Sequence, residues 1–181
     1  GHAIVAFHLP NADPVHKISI VPRGMALGVT QMLPQDDRHN YTREYLEDSM
    51  AVGLGGRCAE EIFLGTVTTG AGNDLERVGE VARNMVTVWG MSERLGPVAY
   101  RGDRNPFGAL WEGAAQAQYS EQTAREIDEE GKILVLAAKD KAKAVLDATL
   151  AKLASAGICD QLQLDNAAAQ EADLFGAGPT S

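Results

Sequence analysis

The sequence predicts a mainly α-helical domain carrying one small β-hairpin. Three observations lead there: apolar residues recur at three- and four-residue steps over 75–89, a long alanine- and lysine-rich segment follows Ser120, and strand-like alternation is confined to 16–33. At 181 residues and 45% hydrophobic content, the chain can bury one sizeable core and add a helical extension.

Taken in order, residues 1–8 read as a helix closed by Pro10, whose ring and missing N–H end helices. His16 to Val21 alternates and is rich in β-branched residues, the pattern of a half-buried strand. Pro22-Arg23-Gly24 supplies a turn, and Ala26 to Leu33 reads as the second strand, ended by Pro34. Thr42 is placed to cap a helix through about Leu54; Gly55-Gly56 permits close helix approach or a kink, and Arg57 to Phe63 continues the helix. The stretch 68–73 is turn chemistry, with Asn73 expected to cap the run in which Leu75, Val78, Ala82, Met85, Val86 and Trp89 form one buried stripe. Trp89 and Met91 are expected in the core.

Residues 101–118, with Gly102, Asp103, Pro106 and Gly108, read as loop. Ser120 opens a long helix to about Ser155, with apolar positions at Ile127, Leu134, Ala138, Val145, Leu150 and Leu153. Gly131 inside it costs about 1 kcal/mol against alanine, and Gly157 is placed to end it.

A net charge of −9 argues against nucleic acid and anionic membrane surfaces as partners. No run approaches the roughly 20 apolar residues that span a bilayer, and no secretory signal pattern is present. The phosphate-loop pattern G-x-x-x-x-G-K-[ST] is absent, so ATP binding is not expected of this chain. Cys58 and Cys159 are far apart and match no metal spacing; free thiols in a reducing compartment are expected, with Cys58 buried, and a single Cys58–Cys159 disulfide is the alternative.

The chemistry-bearing strings are spread along the chain. Gly1-His2-Ala3-Ile4-Val5-Ala6 matches the back half of H-E-A-G-H-A-I-V-A. There follow Leu9-Pro10, Asp13-Pro14-Val15-His16-Lys17 and Pro22-Arg23-Gly24-Met25-Ala26-Leu27-Gly28-Val29-Thr30. Gly55-Gly56-Arg57-Cys58-Ala59-Glu60-Glu61, Thr68-Thr69-Gly70-Ala71-Gly72-Asn73-Asp74-Leu75 and Met85-Val86-Thr87-Val88-Trp89-Gly90-Met91-Ser92 complete the series. In this order they resemble the peptidase domain of FtsH-type, ATP-dependent zinc metalloproteases, continuously to about Tyr100 and more loosely beyond.

The resemblance implies a helical zinc-metallopeptidase domain with its hairpin near the active site. Residues 1–118 would be the metalloprotease core, entered partway along the metal-binding helix, and 119–181 its C-terminal helical part. An H-E-x-x-H helix sets two histidines one turn apart on one face, where both reach one zinc, and the intervening glutamate moves the proton. The family's ligands are those two histidines and an aspartate, which carries zinc ligation onto His2 and Asp74. The first histidine and the glutamate base are expected ahead of Gly1, so the chain as written is expected not to hydrolyse peptides by the family mechanism.

Asp74 in the first turn of a helix also has an ordinary reading, as an acid favoured by the helix dipole. That reading does not account for the T-T-G-A-G-N-D string around it. His8, His16 and His39 are expected to be ordinary surface or structural histidines. Glu60 and Glu61 are adjacent and so point different ways around their helix. Glu60 is the candidate for orienting a zinc-bound histidine, with surface pairing as the alternative; Glu61 is expected in a salt bridge. Leu27, Gly28, Val29 and Thr30 are candidates for binding an extended substrate as an added strand, although the hairpin can equally serve as a cover for the core.

The implied partners are polypeptide substrates and further copies in a homo-hexamer or mixed hexamer; ATP and a membrane enter only through upstream segments. The implied location is the reducing side of a membrane, either the bacterial inner membrane or an organellar equivalent. The rival expectation is a non-proteolytic scaffold domain that keeps the ring and loses the chemistry. Retention of His2, Asp74 and the loop before Asp74 argues against it.

Overall fold

The computed structural model describes residues 1–19, 21, 28–33, 40–100 and 119–157. The elements run α1 (His2–His8), β1 (Val15–Ser19), β2 (Val29–Met32), α2 (Arg43–Phe63), a 3-10 turn (Thr69–Ala71), α3 (Gly72–Thr87) and α4 (Glu121–Ser155). The fold is mainly α with a two-stranded antiparallel sheet, as the sequence predicts.

The helix starts follow their caps. Thr42 accepts from the Tyr45 N–H and Ser120 from the Thr123 N–H, each satisfying a donor that the first turn leaves without an intrahelical partner. At the far end of α4, Gly157 takes φ +73°, a left-handed conformation that costs glycine little. α2 runs through Gly55-Gly56 without a break, because the pair serves close approach. A side chain at Gly55 would crowd the backbone of Gly1 and His2, and one at Gly56 would fall on the His2 imidazole.

The core is one cluster shared by the helices. Val5 and Ala6 of α1, Met50, Ala51, Leu54 and Cys58 of α2, Val78, Ala82 and Met85 of α3, and Ala138, Ala142 and Leu146 of α4 are all buried together. α2 is central, packing on α1, α3 and α4. The Asp48 carboxylate on α2 is fully buried (0% exposed), an unusual place for an acid. It accepts from the Asn11 N–H at 3.1 Å and Asn11 Nδ2 at 3.0 Å. Its other oxygen has no hydrogen-bond geometry with a neighbour but pairs by charge with the Lys141 ammonium of α4. One carboxylate therefore ties the turn after α1 to the two longest helices.

Three expectations need correction. Asn73 is not a cap: α3 begins at Gly72, Ala71 holds the cap position with no side-chain bond, and the Thr69–Ala71 turn leads in, capped by Thr68. The stripe on α3 holds at Val78, Ala82, Met85 and Val86, but Leu75 is 38% and Trp89 44% exposed. Leu75 lies one turn ahead of the first buried position, and Trp89 lies beyond the helix end at Thr87, so helical periodicity no longer directs it. Along α4, Leu134 and Val145 pack only at the edge of the core, while Ala142 and Leu146 are buried with Ala138. The loop read over 101–118, the turn at Pro22-Arg23-Gly24, the strand start at Ala26-Leu27, and His39 and Cys159 lie outside the described residues.

Candidate metal centre

α1 and α3 converge. His2 is the first residue of α1 and Asp74 lies in the first turn of α3, yet His2 Nε2 stands 3.1 Å from Asp74 Oδ2. The approach depends on small residues, since Gly56 of α2 leaves the space in which the imidazole lies. His2 and Asp74 keep 31% and 42% of their side-chain surfaces open, so the pair faces a cleft and is not sealed in the core.

The spacing suits a shared cation. Zn–N and Zn–O bonds of about 2.1 Å put two corners of a tetrahedron about 3.4 Å apart, close to the 3.1 Å seen here. Without a metal, the same contact is a hydrogen bond from an imidazole N–H to a carboxylate. Imidazole and carboxylate are both zinc ligands. Among the described residues, no group of three or more His, Cys, Asp and Glu is arranged to hold a metal ion, so the described chain offers two ligands.

The loop leading to Asp74 is clamped by Glu60 of α2. Its carboxylate accepts from the Thr68 hydroxyl at 2.8 Å and from the Thr68 N–H at 3.1 Å. The Thr68 side-chain bond, then its backbone bond, hold the Glu60 carboxyl below the usual carboxylate range. The hydrogen bonds of Glu60 thus go to the loop that carries Asp74. Glu61 points elsewhere, to Lys139 at 2.9 Å and Arg57 at 3.5 Å, and the Lys139 bond holds its carboxyl low. His8 bonds to the Ile4 carbonyl, and His16 is exposed on β1.

The cleft beside the pair measures ≈ 700 Å³. Gly28, Val29, Thr30 and Met32 line it, as do Asp74, Arg77, Val78 and Val81 of α3. Three of the four strand candidates therefore border the same cleft as His2, and Leu27 lies outside the described residues. Ile18 and Ser19 of β1 also line it, paired with Thr30 and Val29. Among the described residues β2 pairs only with β1, which leaves its other edge without a strand partner.

Two residues of this region escaped the sequence reading. Arg77 follows Asp74 by three positions on one helix, and that spacing alone sets both on one face. Asp13, which lines the cleft and accepts from the Tyr45 hydroxyl at 2.8 Å, carried no local signal of that partner.

A histidine of α1 and an aspartate of the first turn of α3, meeting at the wall of one cleft that β2 also lines, is a layout suited to a metallopeptidase. The chain belongs to peptidase family M41, whose model matches residues 1–162. It is 54% identical over 135 residues to an ATP-dependent zinc metalloprotease FtsH of Acidobacterium capsulatum, covering 75% of this chain and 21% of that protein. It is 53% identical over 148 residues to the protein of that name in Syntrophobacter fumaroxidans, covering 81% and 23%. For the one in Acidimicrobium ferrooxidans the identity is 49% over 146 residues, covering 81% and 22%. The chain spans about a fifth of the length of the curated relatives it matches.

Proposed function

We propose that this chain is the proteolytic part of an ATP-dependent zinc endopeptidase, with His2 and Asp74 as two of the protein ligands of its zinc. The observation that carries this is the 3.1 Å approach of these side chains at the wall of an open cleft. Zinc, when bound, would polarise the scissile carbonyl as a Lewis acid. The remaining work falls to the chain. Glu60 holds the Thr68 loop and so sets where Asp74 stands, which moves the expected role of Glu60 from the histidine to the aspartate. The open edge of β2, at Gly28 to Thr30 and in sequence at Leu27, receives an extended polypeptide by main-chain pairing, which tolerates many side chains. Met32, Val78 and Val81 make the cleft partly apolar and limit water at the reacting bond.

In the intact enzyme, the first histidine and the glutamate base of the H-E-x-x-H helix precede His2. ATP acts through a separate module, which fits both the relatives' name, ATP-dependent zinc metalloprotease, and the fraction of their length matched by this chain. Unfolded polypeptides are the substrates, and assembly is a hexamer of like or mixed chains on the reducing side of a membrane. The buried free thiol of Cys58 supports a reducing setting. None of the described helices is long and apolar enough to cross a membrane, so anchoring belongs to other segments of the intact protein.

The test is casein degradation by the full-length protein with ATP, with and without a zinc chelator. Degradation abolished by chelator and restored by zinc is the expected result. Chelator-insensitive degradation overturns the zinc mechanism. An assembled, ATP-hydrolysing ring that degrades nothing makes the chain a scaffold.

A further inference from the structure

The charged groups that line the cleft are His2, Asp13, Asp74 and Arg77. His2 and Asp74 are occupied with each other, and Asp13 Oδ2 accepts from the Tyr45 hydroxyl while its buried Oδ1 has no hydrogen-bond partner among the described residues. Arg77 is exposed, and no hydrogen bond or ion pair reaches it among the described residues. Arg43, Arg57, Arg83 and Arg94 each pair with a carboxylate; Arg125 of α4 shares the situation of Arg77 among the described residues but does not line the cleft. Glu76 and Glu80 stand near Arg77 in sequence on α3, yet neither pairs with it in a chain of net charge −9. An arginine with no partner among the described residues, at the wall of a cleft, is a cation available to a ligand.

We infer that Arg77 is a specificity-determining residue that receives a carboxylate of the polypeptide lying along β2. The inference rests on the cleft being the peptide-binding site proposed above and adds a chemical preference to it. Arg77 lies three positions after Asp74 on α3, on the same face, and lines the same cleft as Val29 and Thr30. A peptide held on the β2 edge would present alternate side chains toward α3. The guanidinium is planar and permanently charged, and it matches a carboxylate with two parallel N–H···O bonds. Two sources offer that group: an Asp or Glu side chain within the peptide, or a free chain end. Main-chain pairing at β2 supplies affinity without selectivity, and Arg77 supplies selectivity.

The experiment uses the full-length, zinc-loaded protein and three fluorescently labelled peptides of one sequence. One carries a central Glu and an amidated end, one a central Ala and a free carboxylate end, and one a central Ala and an amidated end. Binding is read by fluorescence anisotropy, and cleavage is followed in parallel. The wild-type protein is expected to bind at least one carboxylate peptide about fivefold more tightly than the neutral amide, with the difference shrinking as salt rises. Gain by the Glu peptide assigns an internal acid, and gain by the free-end peptide assigns the chain terminus; either supports the inference. Arg77→Gln removes the preference, Arg77→Lys retains part of it, and Arg77→Glu reverses it toward a Lys-bearing peptide. Equal binding of all three peptides by the wild type, or an undiminished preference in Arg77→Gln, overturns it. Carboxylate-selective binding without cleavage of any peptide would overturn the protease reading alone and leave the Arg77 site standing.

Discussion

His2 and Asp74, separated by 72 positions in sequence, meet at 3.1 Å between Nε2 and Oδ2. Neither side chain reaches that point by local structure. α1 brings the histidine in against the Gly55-Gly56 surface of α2, and the Glu60–Thr68 clamp fixes the loop that presents the aspartate. α2 is thus the frame on which both halves of the pair are mounted.

Gly56→Ala is expected to disrupt the pair directly. A methyl at this position falls on the His2 imidazole, so either the ring turns away from Asp74 or α1 lifts from α2. Overpacking of this kind costs about 1–3 kcal/mol, and zinc affinity should fall about tenfold or more. Gly79→Ala is the control: a methyl there meets nothing, and better helix propensity should stabilise by about 0.5–1 kcal/mol without altering zinc binding. Chelator competition on the two variants checks both expectations.

Glu60→Ala removes the acceptor of two Thr68 bonds and should weaken zinc binding about tenfold through looser placement of Asp74. Thr68→Val, which removes only the hydroxyl bond, should have a smaller effect in the same assay.

The same clamp has a defined pH window. Thr68 holds the Glu60 carboxyl low in the folded protein. Its stabilising contribution is therefore fully present above the unfolded-state value of about 4.3 and is lost as pH falls through the lower folded value. Amide exchange at Thr68 and Gly70, corrected for intrinsic rate, should be constant from pH 7 to 5; a rise within that range would contradict the assignment.

Asp48→Ala leaves the Lys141 ammonium and the Asn11 amide groups without their buried partner. Lys141 is 40% exposed and can return to water, so the cost is that of the unpaired Asn11 groups, about 2 kcal/mol, equivalent to about thirtyfold faster exchange of the core amides of α2 where opening limits exchange. Hydrogen exchange on the intact protein reads this. Asp48→Asn, which keeps an acceptor for Asn11, should lose less.

Much of this architecture is legible in sequence because its causes are local. Thr42 and Ser120 mark two helix starts through short-range caps, Gly157 marks an end, and periodicity identifies the buried face of α3 from Val78 to Val86. Burial of Ala142 was not legible, because an alanine carries little hydrophobic signal on an alanine-rich helix. The Asp48–Lys141 pair was hidden because an acid on a helix is ordinarily read as solvated, and its partner lies 93 positions away by the numbering of the two residues. At the candidate metal centre, the string around Asp74 announces a special loop, whereas the partner of Glu60 does not follow from adjacency to Glu61. The side to which Glu60 turns is decided by the path of the chain after Phe63, which brings Thr68 back over α2.

The central claim is that His2 and Asp74 hold one zinc together. The most direct measurement is the zinc content and affinity of the full-length protein, wild type against Asp74→Asn and His2→Ala, by elemental analysis and chelator competition. The account predicts one zinc per chain in the wild type and a severe loss of affinity in both variants, with helical content retained. Undiminished zinc binding in either variant would contradict it.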